Sequence, residues 1–411
     1  MLKKCKDKFK IGRNKNGQKK SFKKRAKVNS LYFTELLSKR AISKKESVSR
    51  YFVDTWTQSP DQDFTRDKRG REKGQRMKWD KITERRVKEI RGYLEEKPEE
   101  FYAGATAVDL EWRRKYPGID PPPLRTIGQI MSDLGLTKPN KKGKRKGAAK
   151  YLCYPEHTIY DLLGGRVLEA DFIGQKHITG RTEPLNFIGF SFKKVPKIRY
   201  FKRIKSQKAD DFIVQSKRFF GEFEKPDYMK VDNDPATIGS GSGKGTISRV
   251  MKFLLENQVT PMFTVPRKPF TQASIEGNNS VFSRKFWNRI EFKSVEEVDE
   301  KIEWFNKSSI EYLGYYKPKE KKIKTEEFIP KVYLIRQVEE DKEKKEGFIN
   351  VLNETILLPK SYIKYYVLAE WNLREEQIYI RFEKEKESKI IENIPFKINP
   401  RSKKKCQNIL K

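Results

Sequence analysis

Histidine is almost absent from this chain of 411 residues, which holds only His157 and His177. Cysteine is as scarce: Cys5, Cys153 and Cys406 lie far apart. No pair stands at metal-ligand spacing, so neither a zinc module nor a disulfide framework is supported. Two histidines also leave no credible Ser/His/Asp hydrolase, and His177 reads as a surface-loop residue. No apolar run approaches the ~20 residues of a membrane span, and the charged N-terminus lacks an apolar signal core. The expectation is an intracellular protein with no membrane partner, cytoplasmic or nucleoid-associated in a bacterium and nuclear in a eukaryote.

Acidic residues are in deficit as well. Lys and Arg number 91 against 56 Asp and Glu, a net charge of +35. Such a field attracts polyanions and makes their binding steeply salt-dependent through counterion release. A lysine-rich composition with solvated charged faces explains part of this charge but not its clustering. Structural nucleic-acid binders share the charge, so the acidic residues that remain carry the information. The length implies about two to four domains, ample for sizeable cores.

Three of those acids stand in distinctive neighbourhoods. Asp171 ends the apolar stretch Val167-Leu-Glu-Ala-Asp171-Phe-Ile, and Asp232 follows the strand-like run Tyr228-Met-Lys-Val before Asn233. Glu276 lies in Gln272-Ala-Ser-Ile-Glu276-Gly-Asn-Asn279. Carboxylates on strand ends and a helix suit a pair of hard, oxygen-loving Mg²⁺ ions. Two such ions about 3.5–4 Å apart can clamp the attacking and leaving oxygens of a phosphodiester. In a chain this basic, the phosphodiester points to DNA.

The residues between the acids are ordered to match. Asn186-Phe-Ile-Gly-Phe-Ser-Phe192 and Ile198-Arg-Tyr-Phe-Lys-Arg-Ile204 read as strands beside the one carrying Asp171. Ser206 reads as the N-cap of a helix through Phe220. A helix over residues 247–256 and an extended segment over 260–265 follow.

With the Asp-Asn dipeptide and the Gln-x-x-x-Glu-x-x-Asn pattern, residues 163–316 resemble the retroviral-integrase-like DDE transposases, including those of bacterial insertion sequences. The resemblance implies an RNase H-like α/β core whose catalytic and metal-binding residues are Asp171, Asp232 and Glu276. Asp171 would bridge two Mg²⁺ ions, Asp232 hold one and Glu276 the other, with Mn²⁺ able to substitute. Water would cut the element's end to a 3′-OH, which then attacks target DNA by transesterification. The implied partners are the element's terminal repeats, target DNA and further copies of the chain on DNA. Gln272 and Asn279 would touch DNA or orient the site, and Arg284 and Lys285 would contact DNA. Alternatives are an RNase H-like nuclease that cuts without joining, or a domesticated, noncatalytic DNA-binding regulator.

Two departures from the family stand out. The spacing from Asp232 to Glu276 is long, with the excess placed in Gly239-Ser-Gly-Ser-Gly-Lys-Gly-Thr246. Positions where relatives often carry Lys beyond the glutamate hold Ser280 and Ser283. The glycine segment does not complete a phosphate-binding loop, because Ile238 and Gly245 occupy required Gly and Ser/Thr positions. It reads as a flexible loop on the active-site side.

Flanking segments complete a multidomain α/β expectation. Residues 1–29 read as a basic disordered tail, serving as a DNA-binding arm or, in a eukaryote, a nuclear signal. Residues 30–58 form a helix-turn-helix-like module, DNA-reading or plainly structural, with Leu36, Leu37 and Trp56 among its apolar positions. After a linker (59–79), residues 80–137 form a second helix-turn-helix or winged-helix-like DNA-binding domain in place of the zinc domain of many integrases. There Ile82, Val87, Ile90 and Leu94 line one helix, and Ile127, Ile130, Met131 and Leu134 point inward from the last, which Gly135 and Leu136 close. Arg125, Gln129 and Ser132 face outward, where Arg and Gln can read guanine and adenine edges. A basic linker (138–160) precedes the core (161–316), and a charged linker (317–329) follows it. Val298, Ile302, Trp304 and Phe305 make a helix ending near Asn306. Residues 330–385 read as a small β-barrel and 386–411 as a basic, disordered tail.

Overall fold

The computed structural model describes residues 15–64, 79–97, 100–137, 166–192, 197–239, 243–268, 272–314, 327–341, 343, 345–384 and 387–410. The expected basic linker at 138–160 and most of those at 59–79 and 317–329 lie outside the described residues. The chain divides into two compact units, Met1–Asp80 and Lys81–Lys411.

The first unit holds α1 (Lys15–Phe33), α2 (Lys39–Lys45) and α3 (Arg50–Trp56). Ser38 and Ser49 cap α2 and α3 by accepting from the amides of Ala41 and Phe52. Val28, Leu31, Ile42, Val53 and Trp56 form the core. The expected disordered tail is therefore corrected from Lys15 onward. Val28 and Leu31 bury one face of α1, and Asn29 Nδ2 donates to the carbonyls of Trp56 (3.0 Å) and Ser59 (2.8 Å). Leu36, expected inside, turns outward at φ 55° and is 84% exposed.

The second unit opens with α4 (Lys81–Glu96), α5 (Ala105–Lys115) and α6 (Leu124–Asp133). Val87, Ile90, Leu94, Val108, Trp112, Ile127, Ile130 and Met131 are buried. Ile82 and Leu134 depart from expectation and are exposed. Gly135 ends α6 at φ +69°, with the Leu136 amide donating back to Met131 O at 2.8 Å. That is the left-handed closure the sequence predicts.

The sheet follows as β1 (Val167–Lys176), β2 (Leu185–Phe192), β3 (Arg199–Ile204), α7 (Ala209–Glu222), β4 (Tyr228–Val231), α8 (Pro235–Ile238), α9 (Arg249–Glu256) and β5 (Thr260–Phe263). Next come α10 (Ala273–Val281), a π-helical turn (Phe282–Trp287) and α11 (Val295–Tyr312). Strands β1, β2 and β3 are antiparallel, while β4 and β5 run parallel to β1. β2 is buried almost throughout because both its faces are covered. Phe190 stacks on Phe219 of α7 at 4.8 Å, whereas Phe187 packs on Phe282 at 5.2 Å on the other side.

Two helix boundaries differ from the sequence reading. Lys208, not Ser206, precedes α7, and Ser206 donates through its amide and hydroxyl to Asp211. α11 runs on to Tyr312, with Trp304 51% exposed. Asn306 lies inside that helix, where its buried amide bonds both backbone groups of Phe201 at 2.8 Å and so occupies the open edge of β3. Phe101 meets Phe305 edge-on at 4.8 Å and Tyr102 stacks on Tyr312 at 4.1 Å, so the α4–α6 module is seated on the core.

The C-terminal region departs most from expectation. It comprises β6 (Lys331–Gln337), β7 (Glu339–Glu340), β8 (Gly347–Val351), β9 (Glu354–Leu358), β10 (Tyr366–Asn372), β11 (Gln377–Lys384), β12 (Glu387–Pro395), α12 (Pro400–Lys405) and α13 (Gln407–Leu410). Rather than closing a separate barrel, β6 pairs in parallel with β5, and β10, β11 and β12 continue outward in one nine-stranded sheet. Strands β7–β9 make a second, three-stranded sheet. The expected disordered tail also folds: Ile398, Ser402 and Cys406 are buried.

The glycine segment explains why that tail is held. Asn399 donates to Gly245 O at 2.9 Å, Ser402 Oγ accepts from the Ile247 amide at 3.1 Å, and Lys244 pairs with Glu354. Gly245 sits at φ +62°, and a Cβ there would collide with the carbonyl oxygen of Lys397. From Gly243 onward, the segment is thus a docking loop rather than a flexible one.

Candidate active site

The three sequence-identified acids come from three different elements. Asp171 lies on β1 opposite Gly189 of β2, Asp232 directly follows β4, and Glu276 sits in the first turn of α10. β1 runs on to Lys176, so Asp171 lies inside the strand rather than at its end as the sequence suggested. The parallel register Leu168↔Met229 and Glu169↔Lys230 sets the first half of β1 beside β4, with Asp171 and Asp232 each two residues beyond the last pair. α10 approaches closely because Gly189 has no side chain: a Cβ there would stand 3.2 Å from both Ile275 Cδ1 and Asn279 Oδ1.

The electrostatics couple all three. Burial pushes the Asp171 carboxyl up to about 7, reinforced by the charges of Asp232 and Glu276. Glu276 is also raised, by burial and then by the charges of Glu169 and Asp232. Hydrogen bonds fix two of the groups. Asn279 Nδ2 donates to Asp171 Oδ2 at 3.0 Å, while Asp232 Oδ1 accepts from the Asn233 amide (2.7 Å) and Thr264 Oγ1 (3.0 Å).

None of the three carboxylates forms an ion pair among the described residues, although the chain carries a net charge of +35. No three Asp, Glu, His or Cys side chains among the described residues converge on a single ion-binding point. The donor set nevertheless suits a hard cation: oxygen ligands only, with Asp171 and Glu276 partly desolvated and the charge of Asp232 acting on both. Asp171, Asp232 and Glu276 are the residues that would hold Mg²⁺.

A buried pair beneath the site escaped the sequence reading. Glu169 and Lys230 are each 1% exposed, with Lys230 Nζ donating to Glu169 Oε1 at 3.3 Å. The other Glu169 oxygen accepts the Ile275 amide at 2.9 Å, tying the first turn of α10 to β1. A signal was available, since each charge is flanked on both sides by apolar residues: Leu168 and Ala170 around Glu169, Met229 and Val231 around Lys230. Underneath α10, Asn278 donates to Ser191 Oγ at 2.6 Å and accepts from Arg199 Nε at 2.8 Å.

The residues predicted to contact DNA fall in varied settings. Gln272 is only 5% exposed, which corrects its placement at the DNA surface, and Asn279 is engaged with Asp171. Arg284 is exposed in the π-helical turn. Lys285 beside it is half-buried, and burial followed by the charges of Arg289, Arg91 and Arg284 lowers its pKa. Arg125 and Gln129 are exposed on α6, but the Gln129 amide already donates to Asp133 at 2.7 Å. Among the described residues no helix is long and apolar enough to cross a membrane.

No protein-family model matches the chain, and no curated protein matches it. Among solved structures, it is similar to a chain of the simian T-cell lymphotropic virus intasome in complex with PP2A regulatory subunit B56 gamma. That likeness has 11% identity and a TM-score of 0.30, over 74% of this chain and 97% of the other. A pre-cleavage Mos1 transpososome chain is similar at 11% identity and a TM-score of 0.23, over 72% and 99%. Likenesses this faint carry no argument about the site, which rests on its own geometry.

Proposed function

We propose that the protein is a DNA transposase that cleaves the ends of a mobile element and joins them to target DNA by Mg²⁺-dependent transesterification. The observation that carries this reading is a buried carboxyl, Asp171, facing the charges of Asp232 and Glu276, with no ion pair to any of the three among the described residues of a strongly basic chain. Burying like charges without a counter-charge is costly, and a divalent cation removes that cost. When bound, Mg²⁺ would supply Lewis-acid stabilisation of the oxygens around the scissile phosphorus.

The chain's own residues provide the frame. Asn279 orients Asp171, and Asn233 with Thr264 orients Asp232. Glu169 fixes the turn of α10 that presents Glu276. Lys285 and Arg284 offer positive charge beyond α10, suited to a DNA phosphate.

The test is to incubate the protein with Mg²⁺, labelled candidate element ends and a supercoiled plasmid, beside Asp232→Ala. Joined products that vanish in the variant while DNA binding persists are expected. Cleavage without joining would establish a nuclease instead, and binding without chemistry in either protein would establish a regulator.

A further inference from the structure

The ends of three adjacent parallel strands meet beside Asp232. Asn233 follows β4, Thr264 follows β5, and Arg336 lies near the end of β6. Arg336 is 5% exposed, yet its hydrogen bonds are to neutral oxygens. Nη2 donates to Asn233 Oδ1 at 3.1 Å and Nη1 to Thr264 O at 3.0 Å. On the other side, Nε donates to Asn350 O on β8 at 2.9 Å. Asn233 Nδ2 closes the bridge by donating to Thr264 O at 2.5 Å.

A buried guanidinium with no carboxylate partner among the described residues is costly for stability alone. Its rigid fork, however, holds two groups at once, as a lysine ammonium would not. Arg336 holds the Asn233 side-chain oxygen and the Thr264 carbonyl, and the same two residues meet one carboxylate through their other groups: the Asn233 main-chain N–H and the Thr264 hydroxyl both donate to Asp232 Oδ1.

We propose that Arg336 is a positioning residue for Asp232, acting through Asn233 and Thr264, and that the C-terminal sheet extension is thereby part of the catalytic apparatus. The proposal rests on the reading of Asp232 as a metal ligand. Strand β6 joins the core through Tyr333↔Met262 and Leu334↔Phe263, two rungs from Arg336, so the brace is set by the same pairing that extends the sheet.

The experiment compares the full chain with Arg336→Lys, Thr264→Val and the double variant. Two quantities are read: Mn²⁺ affinity of the DNA-free protein by calorimetry, and single-turnover joining against Mg²⁺ concentration. Loss of an outer partner of a metal ligand typically weakens metal binding by roughly 10–100-fold. Each single variant is therefore expected to weaken Mn²⁺ binding at least about tenfold. The Mg²⁺ half-saturation should rise in parallel, with DNA affinity unchanged and the rate at saturating Mg²⁺ largely restored. The double variant should be no worse than the weaker-binding single, because both changes act through one carboxylate. Thr264→Val keeps the side-chain shape and the carbonyl that Arg336 holds but removes the hydroxyl on Asp232, and Arg336→Gln, which retains one donor, reads the role of Arg336 even if Arg336→Lys folds poorly. Wild-type metal affinity in the variants, or additive losses, would overturn the role of Arg336 alone. A wild-type chain that binds no Mn²⁺ and behaves like Asp232→Ala would overturn the functional reading as well.

Discussion

Removing Lys230 should destabilise the protein far more than removing Lys230 and the Glu169 charge together. Each residue is 1% exposed, and the ammonium lies 3.3 Å from the carboxylate. Lys230→Met nearly preserves volume but strips the counter-charge from a carboxylate held in the interior. Breaking a buried pair in this way costs roughly 3–5 kcal/mol, whereas replacing both charges is often close to neutral. Glu169→Gln still offers an oxygen to the Ile275 amide, so the double variant keeps the anchor of α10. Urea unfolding followed by tryptophan fluorescence should show Lys230→Met moving the midpoint down by about 1–2 M, given ordinary denaturant slopes. The double variant should recover most of that loss, with a coupling energy of at least ~2 kcal/mol. A single variant within ~1 kcal/mol of wild type, or additive losses, would show that the pair is not the electrostatic unit described here.

Asp171 gives a pH dependence of definite sign. Its folded-state pKa is raised to about 7, so between about pH 4 and 7 the folded chain holds a proton that the unfolded chain has released. Metal-free stability should then fall as pH rises through that window, by on the order of 4 kcal/mol at most, and flatten above it. Thermal unfolding in EDTA at pH 5 and 8 checks this, and Asp171→Asn should remove the slope; an unchanged slope in that variant would refute the assignment. Mg²⁺ should raise the melting temperature more at pH 8 than at pH 6, because bound metal needs the ionised carboxylate. Gly245→Ala should lower stability by more than ~1 kcal/mol, since it adds a clash to a left-handed backbone, and melting curves would read the loss. Lys285→Ala should weaken binding to all DNA sequences alike and reduce the salt slope by about 1; an unaltered slope would remove it from the phosphate-contacting surface.

The three acids were legible because each sits in a local pattern: an apolar strand before Asp171 and Asp232, and a motif helix around Glu276. Glu169, Lys230, Thr264 and Arg336 were not, because their roles exist only once distant strands are in register. Glu169 meets Lys230 across 61 positions, and Arg336 meets Asn233 across 103. The same limit accounts for the misread C-terminal region. The short, turn-bounded runs that become β6 and β8 to β11 announce strands, but such runs do not say which neighbour a strand joins. β6 would look the same closing its own barrel as it does lying on β5. In α1, lysines dominate the helix and only a narrow face with Val28 and Leu31 is buried, so composition pointed to disorder where packing imposes a helix. What local pattern could reveal was where the three acids lie: on β1, just after β4 and in the first turn of α10. What it hid was the brace around them: a helix anchored by a buried ion pair and a carboxylate held from a sheet extension that the sequence presented as a separate domain. Since that brace spans β1, β4, β5, β6 and α10, deleting the C-terminal strands would uncover β5 and remove Arg336 from Asp232 in one step. The segment expected as the core, residues 161–316, therefore lacks part of the hydrogen-bonded frame around Asp232 when cut out by its motif boundaries.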